Sequence, residues 1–337
     1  IKKNMSIQKI LLIILGIAVV VYGGYYFSQK NKNISVNEET ATSWVEVVSG
    51  GVSITGLDGS IKELHTGDDI LVGGTISTDV SGKAIIHLAD GSVIRIDKDS
   101  KLILSKTDFN SKTETLSVSV TLLSGRIWSK VIALVTPESS WEVKTTNAVA
   151  TVRGTAFYTE YRNGKSRIMG SENKVVVQPV DPKTKKIIEN VKTEIKENTI
   201  VEINDSDASA VALRLEENQT AGANLATALF SAKKVGREMA EDSFVKENQT
   251  EDTLIQQKIE IIKKEEVGEK EIREVLKKES AGLSERIMKL KEKNKTDQEI
   301  NQETKKETIS EIKIRIKEIV EEIKKETEEN TPIKEVP

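Results

Sequence analysis

The 337-residue sequence has no cysteine and only two histidines. Without thiols there can be no disulfide, no cysteine-ligated zinc or iron–sulfur cluster and no thiol nucleophile. Two histidines also exclude a multi-histidine metal site. Aromatic residues are scarce, at 4%, while charged residues reach 31%. A single ordinary globular domain seldom combines these values, so the chain reads as a mixture of unlike segments. Lys and Arg total 50 against 53 Asp and Glu, a net charge of -3. That balance excludes attachment to nucleic acid by bulk positive charge. No G-x-S-x-G, P-loop or dinucleotide fingerprint occurs.

Five unlike segments follow in order. Residues 1–9 read as a short cytoplasmic N-terminus, and 10–27 as a transmembrane helix. The run Ile10 to Phe27 has no charged residue and is long enough, at about 27 Å as a helix, to cross a hydrocarbon core. Tyr22, Tyr25 and Tyr26 stand at its end, where an aromatic belt belongs. Lys2, Lys3 and Lys9 precede it, which favours the N-terminus inside and the bulk of the chain outside the cytoplasm. A signal peptide cleaved before Gly24 is the rival reading, and a buried core helix the plain one. Residues 28–43 read as a linker, 44–205 as a β domain and 206–337 as a charged helical tail.

The β domain shows a period of two and carries 13 of the 20 glycines. Asp58-Gly59, Asp90-Gly91 and Asn163-Gly164 each separate two strand-like runs, as tight hairpin turns require. Leu116, Val118, Val120 and Leu122 form one apolar strand face. This pattern predicts a sandwich, barrel or β-solenoid.

Three stretches, Leu64 to Asp79, Ser81 to Leu102 and Val143 to Phe157, also resemble the FecR-type domain of the iron-dicitrate regulator family. Leu64 to Ile70 with Gly74 to Asp79 is similar to its "L-x-x-G-D … G-x-x-I-x-T" opening. Leu88 to Ser92, within Ser81 to Leu102, is similar to its "L-x-D-G-S" hairpin, on Asp90, Gly91 and Ser92. Val143 to Phe157 resembles "V-x-T-P-x-A-x-x-x-V-R-G-T-x-F" on Val152, Arg153, Gly154, Thr155 and Phe157, with Thr146 where the family has Pro. The resemblance spans roughly Trp44 to Val201. It implies an all-β FecR-type domain, two-sheet or β-solenoid-like, in a single-pass bacterial envelope protein serving signalling or protein interaction. Its motif residues are expected to be structural. With nine residues ahead of the apolar run, the family's N-terminal cytoplasmic domain is expected to be absent, and with it direct sigma-factor control.

Residues 206–337 carry 25 basic and 30 acidic residues, a net of -5. Ser206-Asp207 predicts a helix from Ala208, and Thr250-Glu251-Asp252 another helix start. Ile309, Ile312, Ile316, Ile319 and Ile323 step by three and four, the seam of a coiled coil. Partner helices from the same tail or a second chain would complete it, and a solvated stalk is the plain alternative.

Few residues suggest chemistry. His87 is expected to face outward and His65 to end a strand. Asp205, Asp207, Ser209 and Glu216 stand at positions 1, 3, 5 and 12 of a calcium-loop frame, but Ala210 occupies the position where the turn needs Gly, so helix capping is the better reading. Arg153 can be read as an anion ligand or as a bond to backbone carbonyls, and the structural reading is favoured. Trp44, Trp128 and Trp141 read as core anchors before groove residues. Asn33, Asn218 and Asn248 begin glycan-acceptor triplets of the kind that arise by chance. No catalytic, cofactor or metal residue is assigned and no cofactor is expected. The sequence thus predicts a non-enzymatic interaction or sensory module in the envelope, with a membrane anchor, a protein or polymer partner and no nucleic acid. An envelope scaffold or spacer oligomerising through the tail is the alternative. A glycan hydrolase working through paired carboxylates is the third and weakest reading.

Overall fold

The structure is a computed structural model describing residues 43–329, apart from 111, 112, 114, 133–135, 266–268, 294 and 306–308. The described residues all belong to one compact unit.

The first strands are β1 (Trp44–Ser49), β2 (Val52–Thr55), β3 (Ile61–Glu63), β4 (Asp68–Asp69), β5 (Thr75–Thr78), β6 (Lys83–His87), β7 (Val93–Ile96) and β8 (Lys101–Asn110). Then come β9 (Thr115–Lys130), β10 (Ser140–Lys144), β11 (Ala148–Val152), β12 (Ala156–Arg162), β13 (Lys165–Gly170), β14 (Lys174–Pro179), β15 (Thr193–Lys196) and β16 (Thr199–Asn204). Helices α1 (Asp205–Glu217) and α2 (Gln219–Leu229) precede a short strand β17 (Lys233–Lys234). Helices α3 (Arg237–Glu241), α4 (Ser243–Lys263), α5 (Glu269–Glu292), α6 (Asp297–Lys305) and α7 (Ile309–Glu329) complete the described chain.

All seventeen strands belong to one hydrogen-bonded sheet that folds over on itself. One half runs β4-β1-β6-β7-β9-β12-β13-β16-β17. The other runs β3-β2-β5-β8-β9-β10-β11-β14-β15. Strand β9 belongs to both halves. Its first part pairs with β8 and β10, and its last six residues pair with β7 and β12. Every pairing between named strands is antiparallel except β9 with β10, so the sheet is mixed.

The passage of β9 from one half to the other is written in its residues. Leu116, Val118, Val120 and Leu122 alternate with Ser and Thr and are fully buried in the core. At Leu123 the register slips, because Lys101 pairs with Ser124 while Leu102 pairs with Leu122. This bulge inserts one residue and reverses which face the following side chains meet. Ile127 therefore joins the core between the two halves, while Trp128 points to the opposite side. Gly125 follows the bulge with φ of 92°, and a Cβ there would lie 2.3–2.6 Å from Ser100 atoms.

The sequence expectation of an all-β domain, two-sheet or β-solenoid-like, set between a transmembrane helix and a coiled-coil tail is corrected here. The strands make a single mixed sheet, and the helices cover it. Ala208 and Val211 of α1, with Ala226 and Phe230 of the α2 region, enter the core between the halves. Phe244 and Val245 of α4 lie on Trp128, Tyr158 and Met169, while Ile287 of α5 and Ile300 of α6 lie on Trp44. The isoleucine seam of α7 finds its partners in this chain: Ile316, Val320 and Ile323 pack with Ile262 of α4, Ile272, Val275 and Leu276 of α5, and Ile132 beyond β9. Among the described residues no helix is long and apolar enough to cross a membrane, and the segment 10–27 lies outside them. Two helix starts also differ. Asn204, not Ser206, is the cap residue of α1. Helix α4 begins at Ser243, because the Asp242 carboxylate accepts bonds from the Phe244 and Val245 amides at 2.9 and 3.1 Å.

Gly125→Ala is expected to destabilise the fold by about 2–4 kcal/mol, since the new Cβ meets the Ser100 backbone and adopts a left-handed φ. Denaturant unfolding measures this, and a loss below about 0.5 kcal/mol would refute the tight crossing.

Candidate functional site

The helix-covered face of the sheet gathers the buried charges. Strand alternation sends Ile94 and Ile96 of β7 into the core, so Arg95 faces the other way. By the same rule Arg126 and Trp128 of β9 face the helices. Helix α4 lays Phe244, Val245, Asn248 and Asp252 over them, all buried and spaced to share one helix face.

Polar contacts at both Asp252 and Asp242 fix α4 to the sheet. Arg95 Nη1 donates to Asp252 Oδ1 at 2.6 Å, and Trp128 Nε1 donates to Asp252 Oδ2 at 2.8 Å. Arg126 is held by Asp97 through Nε and by Asp242 through Nη1 at 2.7 Å, with its guanidinium 5.1 Å from the Phe244 ring centre. Asp242 thus caps α4 and ties that helix start to β9. The two carboxylates respond differently to this setting. Burial raises the Asp252 pKa, and the nearby Arg95 charge and the Arg95 and Trp128 bonds only partly offset it. Burial also works to raise Asp242, but Arg126 and the Val245 and Phe244 amides outweigh it and hold Asp242 below its ordinary value. For Arg126 burial favours the neutral form, yet Asp242 and Asp97 prevail and keep it firmly protonated.

Beside these pairs lies a cavity of about 480 Å3 between strands β1, β6 and β7 and helices α4, α5 and α7. His87 reaches it, stacked on Trp44 with ring centres 3.9 Å apart and bonded through Nε2 to Glu46 at 3.0 Å. His65 is exposed and meets Asp297, the first residue of α6, at 3.4 Å.

The residues singled out from the sequence sit at turns and corners. Ser92 Oγ donates to Asp90 at 2.6 Å and accepts from the Ile132 amide at 3.0 Å, tying the β6–β7 turn to the segment after β9. Gly91, at φ of 84°, lets this turn approach Leu276 of α5, which a Cβ would meet at 3.3 Å. Val152 and Phe157 are buried on either side of the corner where the chain leaves one half of the sheet for the other. At that corner Arg153 donates to the Thr136 carbonyl at 2.7 Å, Thr155 Oγ1 donates to the Glu172 carbonyl, and the Gly154 carbonyl accepts from Asn173 at 2.9 Å. Trp128 and Trp141 are fully buried, and Trp44 is covered by α5 and α6. In the calcium-loop frame, Asp205, Asp207 and Ser209 lie in the first turns of α1 and Glu216 near its end. Among the described residues no group of three or more His, Asp or Glu side chains is arranged to hold a metal ion.

Sequence reasoning missed Arg95, Arg126 and Asp242, and read Asn248 only as the start of a glycan-acceptor triplet and Asp252 only as part of a helix start. One signal was available: Val93-Ile94-Arg95-Ile96 is apolar on both faces apart from Arg95, and all four are buried. A strand of that kind needs a cover on each side.

Arg95→Met is expected to cost about 3–5 kcal/mol at pH 7, because it strands Asp252 in a dry setting. The loss should shrink as pH falls, since the buried Asp252, its pKa raised by burial, takes up a proton before the unfolded chain does. Adding Asp252→Leu should recover a large part of it. A loss independent of pH and unrelieved by the second change would refute the pair. Asp242→Asn keeps the helix cap but removes its charge. The charge contributes stability above the ordinary carboxylate pKa of 3.8 and loses it as pH falls through the lowered folded value. The variant should therefore show a flatter stability profile below about pH 4 than the native chain.

Residues 74–176 match the family described as FecR protein. No curated protein matches the chain. Two crystal structures, at 2.50 and 1.65 Å, of a candidate anti-sigma factor from Parabacteroides distasonis ATCC 8503 are similar to 39% of this chain, with 17% identity and a TM-score of 0.31. The aligned part spans 55% of that protein, about half its length. The matched residues run from just before β5 into β14 and include both the Asp90-Gly91-Ser92 turn and the Arg153-Gly154-Thr155 corner. This chain carries a FecR domain at residues 74–176.

Proposed function

We propose that this chain is a non-enzymatic sensory or regulatory module of the bacterial envelope, acting by binding a protein or envelope polymer. The observation that carries it is the FecR domain, whose motif residues are bonded into turns and corners and so present a surface in place of chemistry. The uncharged run Ile10 to Phe27, preceded by three lysines, supports attachment to the cytoplasmic membrane with the bulk of the chain outside. The scaffold reading is weaker, because the α7 seam that would oligomerise is already covered within the chain.

Crosslinking of the tagged full chain in its native membrane, followed by mass spectrometry, tests this. A specific partner should be enriched over a control lacking residues 44–203. Equal recovery from both chains would count against it.

A further inference from the structure

Exposed aliphatic side chains gather at one corner of the sheet, by its edge strand β3. Leu57 is 88% exposed, Ile61 74%, Leu71 67% and Val72 48%. Leu57 stands in the turn between β2 and β3, and Leu71 and Val72 stand between β4 and β5. The two turns touch. The Leu57 side chain lies 3.6–3.9 Å from where a Cβ on Gly73, the residue after Val72, would stand. Ile61 begins β3 opposite Thr55, at the foot of the Leu57 turn. Exposed aliphatics scattered singly are ordinary, but several on adjoining turns mark a contact surface.

The chain enters the sheet beside this patch. The Ser43 carbonyl accepts from the Ile70 amide at 2.8 Å, and Leu71 follows directly. Residues 28–43 read as the linker between the uncharged run Ile10 to Phe27 and β1. Sixteen residues reach at most about 55 Å. A body held through Ser43 presents this corner to the membrane before any other. The tether also makes the contact intramolecular, so a small apolar patch suffices. Asp58, Glu63 and Asp69 border the patch against Lys62 alone, and all four are exposed. Such a rim is not drawn to anionic headgroups, so the contact is apolar.

We propose that Leu57, Leu71 and Val72, flanked by Ile61, dock into the surface of the membrane that anchors the chain. This rests on the membrane attachment proposed above and adds a fixed orientation of the sheet on the bilayer.

The chain has no native cysteine, so Leu71→Cys accepts a single nitrobenzoxadiazole fluorophore, whose apolar rings replace the leucine. Val80→Cys is the control, because Val80 is 74% exposed in the turn at the other end of β5. The labelled full chain is reconstituted into phosphatidylcholine vesicles holding a nitroxide-labelled lipid, and the vesicles are collected by flotation. Quenching at position 71 should exceed that at position 80 by about threefold, as insertion at the headgroup boundary requires. Leu57→Ser together with Val72→Ser, both at exposed positions, should bring position 71 down to the level of position 80. Equal quenching at the two positions in floated chain overturns the docking and leaves the attachment standing. Quenching that survives the double change also overturns the docking, because closeness to the anchor alone then explains it. A probe at position 71 that is blue-shifted but not quenched is covered by protein, from a second copy or a partner, and overturns the lipid assignment. A chain that does not float with the vesicles overturns the docking and the attachment together.

Discussion

Strand β9 has to satisfy two halves of a sheet at once, and the remaining architecture depends on how it does so. Its first part holds β8 and the parallel β10, and its last part holds β7 and β12. A sixteen-residue strand cannot serve two facing layers without bending. The bulge at Leu123 and the left-handed Gly125 supply the bend, and they exchange inward for outward positions at the crossing. That exchange sends Ile127 to the core and Trp128 to the helices. The same stretch supplies Arg126, so the placement of α4 follows from the geometry of one strand.

The charges beneath α4 do not make the fold stable by themselves. Removing paired ions from water costs about as much as their attraction returns, and apolar replacements often do as well. What they supply is a unique position. Asp242 and Asp252 stand ten residues apart on one helix, and their partners Arg126 and Arg95 lie on neighbouring strands. A slide of α4 by one turn would part Asp242 from Arg126 and leave Arg95 and Asp252 at the desolvation cost of buried ions. The apolar contacts of Phe244 and Val245 tolerate such a slide far better. The helix is thus held by hydrophobic burial and registered by charge.

Local chemistry was legible in the sequence and distant pairing was not. Asn163-Gly164 turns between β12 and β13 because both residues take positive φ, a property visible in two letters. The alternation of Leu116 to Leu122 shows its buried face for the same reason. The FecR motifs were legible because they govern turns and corners, whose requirements are local. By contrast, Asp252 looks like an ordinary first-turn acid, since nothing nearby reveals an arginine 157 residues earlier. The isoleucines of α7 announced a seam by their spacing and left its partner open between the same tail and a second chain, because periodicity gives a face and not what covers it. The start of α4 was placed too late, at Thr250, because Thr250-Glu251-Asp252 reads as an acidic first turn, whereas the Asp242 cap stands earlier.

The wide separation of these partners has a consequence for the chain as it is being made. The sheet is nearly complete once Asn204 has been synthesised, but Arg126 awaits Asp242 and Arg95 awaits Asp252. At ordinary elongation rates the delay is on the order of several seconds. During that interval Trp128, Tyr158 and Met169 form a bare aromatic and aliphatic face beside Arg95, whose partner is still to come, and Arg126, held by Asp97 alone. A nascent chain of this design emerges with an apolar surface first and its cover last, so that surface stays open to contact with other chains until α4 arrives.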